Sequence, residues 1–131
     1  MNVNILIVDG NEKYSSDILK SIGIKTQYEE YVDVLNKISS NKLNIQVIHP
    51  AITENFLPNN FNLDDFHGVA WTGSTLNIYD QKPSIERQIE LAKLLLSKKN
   101  IIFGSCWGLQ VLATAAGGVV NKNTNGLEAV I

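Results

Sequence analysis

An apolar run, Ile101-Ile102-Phe103, leads into Gly104-Ser105-Cys106-Trp107-Gly108, and a stretch suited to a helix follows from Leu109 to Ala116. This junction constrains the fold more than any other part of the chain. It reads as a strand that turns into a helix within a few residues. Glycines two before and two after Cys106 let the strand and helix backbones approach where a Cβ would collide. The pattern is Gly-x-nucleophile-x-Gly, a nucleophile elbow, with Cys where many hydrolases carry Ser. A lone free cysteine is ordinarily a small buried hydrophobe. Between a strand and a helix, flanked by Gly104 and Gly108 as structural elbow residues, Cys106 reads instead as a nucleophile.

The rest of the chain supplies the matching architecture. Val3 to Gly10 is mostly apolar and β-branched and ends in a turn, which predicts a strand covered on both faces. Tyr14, Ile18 and Ile22 share one helix face, closed by Gly23. Tyr31, Val34, Leu35 and Ile38 follow the i, i+3, i+4, i+7 spacing of a second helix, with Glu30, Asp33 and Lys37 on its solvated face. Ile45 to Pro50 reads as the second strand and Ala51 to Asp65 as a loop. Phe66 to Trp71 reads as the third strand, ending in the turn Thr72-Gly73-Ser74-Thr75. A helix follows from Asp80 to Ser97, with Pro83 in its first turn and Ile85, Ile89, Ala92 and Leu96 on its buried face. Asn100 to Gly104 is the fourth strand, and the helix after the elbow runs from Trp107 to Ala116. Val119-Val120 and Leu127 to Ile131 read as the starts of further strands. Alternating strands and helices predict an α/β fold, a mainly parallel sheet with helices on both faces in a flavodoxin-like three-layer sandwich. Sites in such sheets form at the carboxyl ends of the strands. Both the turn after the third strand and the elbow after the fourth lie on that edge.

Composition limits the partners. A net charge of -2 gives no electrostatic footprint for nucleic acid or a membrane surface. No run of apolar residues is long enough to span a bilayer, and the N-terminus lacks the pattern of a signal peptide. One cysteine cannot form an internal disulfide, so a cytoplasmic location is expected. The two histidines, His49 and His67, are isolated in sequence and no carboxylate cluster accompanies them, so no metal site is expected, and no cofactor is expected either. Trp71 and Trp107 suit core or pocket walls, and turn chemistry accounts for Asp9 and Gly10.

The elbow chemistry follows from its parts. The thiolate is the nucleophile, and a helix N-terminus favours the negative form. The amide of Trp107 points where an oxyanion would develop, and a second donor usually comes from a neighbouring loop. The backbone of the Gly73-Ser74 turn suits that role.

At these residues the sequence resembles class I glutamine amidotransferases, most closely the free-standing group related to the glutaminase domain of GMP synthase. The resemblance rests on Thr72-Gly73-Ser74 with Ile78-Tyr79-Asp80, then Gly104 to Gln110, then Ala116 to Val120 and Asn125 to Glu128. It implies that Cys106 attacks the side-chain amide of glutamine and releases ammonia through a γ-glutamyl thioester. The amides of Gly73, Ser74 and Trp107 would form the oxyanion site, and Gln110 would hold the amino-acid end of the substrate. Glutamine is then the substrate, and a synthetase domain or subunit accepting ammonia is the implied partner.

Two departures accompany the likeness. Many relatives carry a second Gly and then Pro where this chain has Ser74 and Thr75. The family completes its triad with a His-x-Glu well downstream of the elbow, but no His follows Cys106 and Glu128 is the only acid after it. His67 opens its strand, at the edge opposite the site, and His49 belongs to a strand expected to be lateral to the elbow. The expectation is that residues 1-131 are the N-terminal portion of a single domain of this type, lacking its C-terminal part. A non-catalytic amidotransferase-like binding module, and a ThiJ/PfpI-like protein of similar fold, remain open beside it.

Overall fold

The computed structural model describes residues Asn2–Gly126. Four strands form one parallel sheet in the order β2-β1-β3-β4: β1 Asn2–Val8, β2 Lys42–Ile48, β3 Gly68–Trp71 and β4 Ile102–Gly104. The helices are α1 Lys13–Ser21, α2 Gln27–Ile38, α3 Pro83–Ser97 and α4 Trp107–Ala115. β1 lies inside the sheet, paired on both sides, and its apolar Leu6-Ile7-Val8 is fully buried. That burial on both faces is why its sequence runs apolar without alternation.

Successive strand residues point to opposite faces. Leu6, Val8, Val69 and Trp71 point to the main core, where they meet Ile85, Leu91, Ala92 and Leu95 of α3 and Trp107 and Val111 of α4. Ala70 and Phe103 point the other way, toward α2. Helices therefore cover both faces, as the strand-helix alternation predicts.

Register fixes the functional edge. Ile48, Val8, Trp71 and Gly104 stand side by side across the four strands. The chain therefore leaves the sheet along one edge at His49, Asp9, Thr72 and Ser105, followed by Pro50, Gly10, Gly73 and Cys106.

Several local readings change. α1 ends as its Gly23 predicts: at φ +74°, the Gly23 amide donates to Lys20 O and that of Ile24 to Leu19 O. Its apolar stripe does not enter the core, however, since Tyr14 is 76% exposed and Ser16 is the buried residue. Tyr14 and Ile18 instead line a cleft with Thr75 and Leu76. β2 stops at Ile48, so His49 and Pro50 lie beyond the strand. The long loop contains one 3₁₀ turn, Leu63–Asp65. β3 starts at Gly68, with Phe66 and His67 ahead of it.

The helix expected from Asp80 divides into a 3₁₀ turn, Ile78–Asp80, and α3, separated by Gln81 in the left-handed region at φ 52°. Within α3, Leu91, Leu95 and Gln88 join Ile85 and Ala92 on the buried face, while Leu96 faces out. The Val119-Val120 strand does not form, and Val119 is exposed. A strand needs a neighbour's ladder, and among the described residues none pairs there. Leu127 to Ile131, including Glu128, lie outside the described residues. No described helix is long and apolar enough to cross a membrane.

Candidate functional site

The elbow is a sharp strand-to-helix turn. Cys106 caps the N-terminus of α4 at φ 53°, ψ −108°, a backbone conformation that L-residues rarely adopt. Its side chain is a free, exposed thiol. The two glycines are required by contact rather than by their own dihedrals. A methyl on Gly104 would lie 2.8 Å from Gly108 C, and one on Gly108 would lie 2.8 Å from both Cβ and O of Trp71. The strand and the helix thus touch backbone to backbone.

Trp107 is the first residue of α4, so its amide has no acceptor within the helix. Its side chain is fully buried beneath the turn. The indole Nε1 atoms of Trp107 and Trp71 both donate to Gln88 Oε1, at 2.8 and 3.1 Å, and Gln88 Nε2 donates to Ser84 O. One buried amide thus fixes the floor of the site. Gln110 lies one helical turn beyond Cys106, half-buried, with its own amide donating to Cys106 O.

The turn after β3 lies beside the elbow. A methyl built on Gly73 would be 3.7 Å from Cys106 Cβ and 3.3 Å from Gln27 Oε1. The Ser74 hydroxyl accepts from Leu76 N within the same turn. Gly73 and Cys106 therefore meet from two separate segments, with Ser74 next in the β3 turn, and with Trp107 at the start of α4 and Gln110 one turn along it.

Neither histidine joins them. His67 Nδ1 accepts from the Asn4 amide at the opposite end of the sheet. His49 leaves the sheet on β2, with β1 and β3 between it and β4. Its Nδ1 is 2.9 Å from Asp9 Oδ2, and its ring meets Tyr28 edge-on. Among the described residues, no group of three or more metal-ligating side chains is gathered.

Four residues near the site have no functional role in the sequence reading, which gives Asp9 to a turn and Tyr31 to a helix face. Asp9, fully buried, accepts from both the backbone and the side chain of Asn11. Asn11 in turn reaches Gln27 Oε1 and Gly73 O, each at 3.1 Å. Tyr31, one turn after Gln27 on α2, has its phenol pKa raised above the usual value, first by desolvation and then by the negative charge of a Cys106 thiolate. Tyr31 and Ser105 belong to the wall of an apolar groove of ≈ 450 Å³ between α2 and the sheet. The available signal was positional: an acid and an amide directly after a strand continuously apolar enough to be central.

Fold and site together define an α/β domain with a cysteine-bearing elbow at the carboxyl edge of a parallel sheet. The chain is 30% identical over 118 residues to the gamma-glutamyl-L-1-hydroxyisopropylamide hydrolase of a Pseudomonas species, a match covering 90% of this chain and 39% of that protein. Two solved structures share the fold. A glutamine amidotransferase from Thermotoga maritima aligns with a TM-score of 0.59 at 17% identity, over 95% of this chain and 47% of its own. One from Methylobacillus flagellatus aligns with a TM-score of 0.55 at 19% identity, over 95% and 43%. The chain spans less than half the length of each of these relatives. No family model matches it.

Proposed function

We propose that this chain carries the nucleophile half of a cysteine-dependent hydrolase of γ-glutamyl amides, glutamine among them, as in class I glutamine amidotransferases. The observation that carries this reading is the proximity of Gly73 to the strained Cys106, with a methyl at Gly73 lying 3.7 Å from Cys106 Cβ. A nucleophile and two backbone donors from separate loops then face one reacting carbon.

The Cys106 thiolate adds to the amide carbon of the substrate. The carbonyl electron pair moves onto oxygen, where the amides of Trp107 and Ser74 hold it. Collapse of the tetrahedral intermediate breaks the C–N bond, and the amine or ammonia leaves with a proton from a general acid. Water then hydrolyses the γ-glutamyl thioester, and Cys106 is restored. Gln110 and the α2 wall would hold the glutamyl end.

The proton shuttle is assigned to chain outside these 131 residues, which then form the N-terminal portion of the domain. Three observations support this. No histidine follows Cys106, His49 is engaged by Asp9 and separated from β4 by two strands, and the relatives are more than twice as long. The exposed apolar side chains along β4 and α4, Ile101, Phe103 and Leu109, offer a surface on which more chain would pack. The likeness to the glutaminase domain of GMP synthase further implies an ammonia-accepting synthetase. The Pseudomonas relative favours direct hydrolysis of a γ-glutamyl amide instead.

The test uses the chain itself, because labelling needs the nucleophile but not the complete cycle. A diazo-ketone analogue of glutamine should label Cys106 much faster in the folded chain than in urea, and glutamine should protect it. Labelling no faster than in the denatured control would overturn the proposal in favour of a non-catalytic module.

A further inference from the structure

The Gly73-Ser74 turn is held by an apparatus that the hydrolytic reading leaves unused. Its starting point is Asp9, a carboxylate with no exposed surface at the end of the central strand. Asp9 Oδ1 accepts from the Asn11 amide at 3.0 Å and lies 3.3 Å from Asn11 Nδ2. Its other oxygen is 2.9 Å from His49 Nδ1. The Asn11 side chain, itself buried, is turned toward β3, where Nδ2 donates to Gly73 O at 3.1 Å and to Gln27 Oε1 at 3.1 Å. Its two hydrogens serve three acceptors, and the longest contact, to Asp9, is the shared one. The Thr72 hydroxyl adds a second donor to Gly73 O at 2.9 Å while accepting from the Gly10 amide.

These contacts fix a direction. The carbonyl of Gly73 points back to the loop after β1. In a planar trans peptide the N–H lies opposite the C=O, so the Ser74 N–H points away from β1. β3 lies between β1 and β4, so away from β1 is toward β4, from which Cys106 emerges. We infer that Asn11, braced by Asp9, is a positioning residue that orients the Gly73-Ser74 peptide so that its N–H serves the oxyanion formed at Cys106.

The role is preorganisation. Without the donor on Gly73 O, the peptide plane is free to rotate and the Ser74 N–H loses its aim, although Cys106 is untouched. Asn11 and Asp9 never contact the substrate in this scheme. The inference rests on the hydrolytic reading for its consequence, but its structural content, the peptide orientation, stands apart.

The experiment compares wild type with Asn11→Ala and Asp9→Asn in two measurements. The first is the rate of Cys106 modification by two reagents. With the diazo-ketone glutamine analogue the thiolate adds first to the carbonyl and builds an oxyanion; the diazo carbon then takes a proton from solvent, sulfur bonds to it and dinitrogen leaves. Iodoacetamide instead alkylates by direct displacement of iodide and builds no oxyanion. Removing one oxyanion donor typically costs about 10²–10³ in rate, and misorienting one should cost about tenfold or more. Asn11→Ala should slow the diazo-ketone by that factor and leave iodoacetamide within about twofold. Asp9→Asn keeps the shape but removes the charged acceptor, and should give a smaller loss of the same selectivity. Equal slowing of both reagents, or of neither, would overturn the inference.

The second measurement is the amide ¹H–¹⁵N resonance of Ser74, which should move in Asn11→Ala. If wild-type Cys106 shows no preference for the glutamine analogue, the hydrolytic reading fails and this resonance decides the orientation alone. An unmoved Ser74 amide in a folded variant would overturn it.

Discussion

Gly108→Ala should destabilise the chain, although the same substitution inside a helix normally helps. Gly108 occupies the first turn of α4, and a helix-interior Gly→Ala change is ordinarily worth about 1 kcal/mol in favour of folding. Here the new methyl would stand 2.8 Å from Trp71 Cβ and Trp71 O, whereas ordinary contact begins at 3.4 Å. Neither neighbour yields easily. Trp71 is fully buried and its indole is tied to Gln88, and its carbonyl belongs to the strand. Relief therefore requires α4 to lift from β3 by about 0.6 Å along its first turn, against the fully buried packing of Trp107 and Val111. Overpacking of a rigid core costs about 1–3 kcal/mol, and backbone contact belongs at the upper end. After the helix-propensity gain, a net loss of about 2 kcal/mol is expected.

The assay is urea unfolding followed by tryptophan emission. Both tryptophans of the chain lie at this contact, so the signal reports it directly. With a urea slope of about 2 kcal/mol/M, the midpoint should fall by about 1 M at unchanged slope. A midpoint equal to or above that of wild type would refute the claim that strand and helix touch backbone to backbone. Diazo-ketone labelling should slow in the same variant, since the lift displaces the Trp107 amide.

Gln88→Leu should cost about 3 kcal/mol, because one buried oxygen serves two indole donors and its loss strands both, at about 1–3 kcal/mol each and not additively. A loss below about 1 kcal/mol in Gln88→Leu by urea unfolding would count against the shared bond. Tyr31 gives a pH signature. Its folded pKa is raised above the unfolded value of about 10, so the folded chain keeps a proton that the unfolded chain releases. Stability should therefore fall as pH rises above about 10, levelling beyond the raised folded value, and Tyr31→Phe should lack that part of the alkaline decline. Equal alkaline slopes in wild type and Tyr31→Phe would exclude the effect, whereas Cys106→Ser should weaken it by removing the nearby charge.

The parallel sheet was legible because β1 is apolar without alternation and because strands and helices alternate. The elbow was legible because its two glycines and its cysteine are local. What failed was set by tertiary neighbours. The stripe Tyr14-Ile18 has helical spacing, but α1 turns Ser16 inward, so periodicity marked the helix and not its buried face. In α3 the buried face shifted to include Leu91 and Leu95, because α4 packs there through Trp107 and Val111. Val119-Val120 has strand propensity but no ladder to join among the described residues.

Asp9 and Asn11 were passed over for a different reason. Directly after a strand, Asp9-Gly10 reads as a turn, and Asn11, which no sequence motif marks, does close that turn on Asp9. Only the strand order shows what else they do. With β1 next to β3, the loop after β1 lies against the turn after β3, and Asn11 meets Gly73 across 62 residues of sequence. The elbow motif is therefore local, but the environment that would make it reactive is not. Gln27 and Tyr31 come from α2, Asn11 from the β1 loop and Gly73 from the β3 turn. A cysteine between two glycines defines where a nucleophile can stand. On the proposed reading, loops within the first 75 residues aim an oxyanion donor at it, so Asn11→Ala, remote from Gly104 to Gln110 in sequence, should slow oxyanion-forming modification of Cys106 about tenfold while its direct alkylation is unchanged.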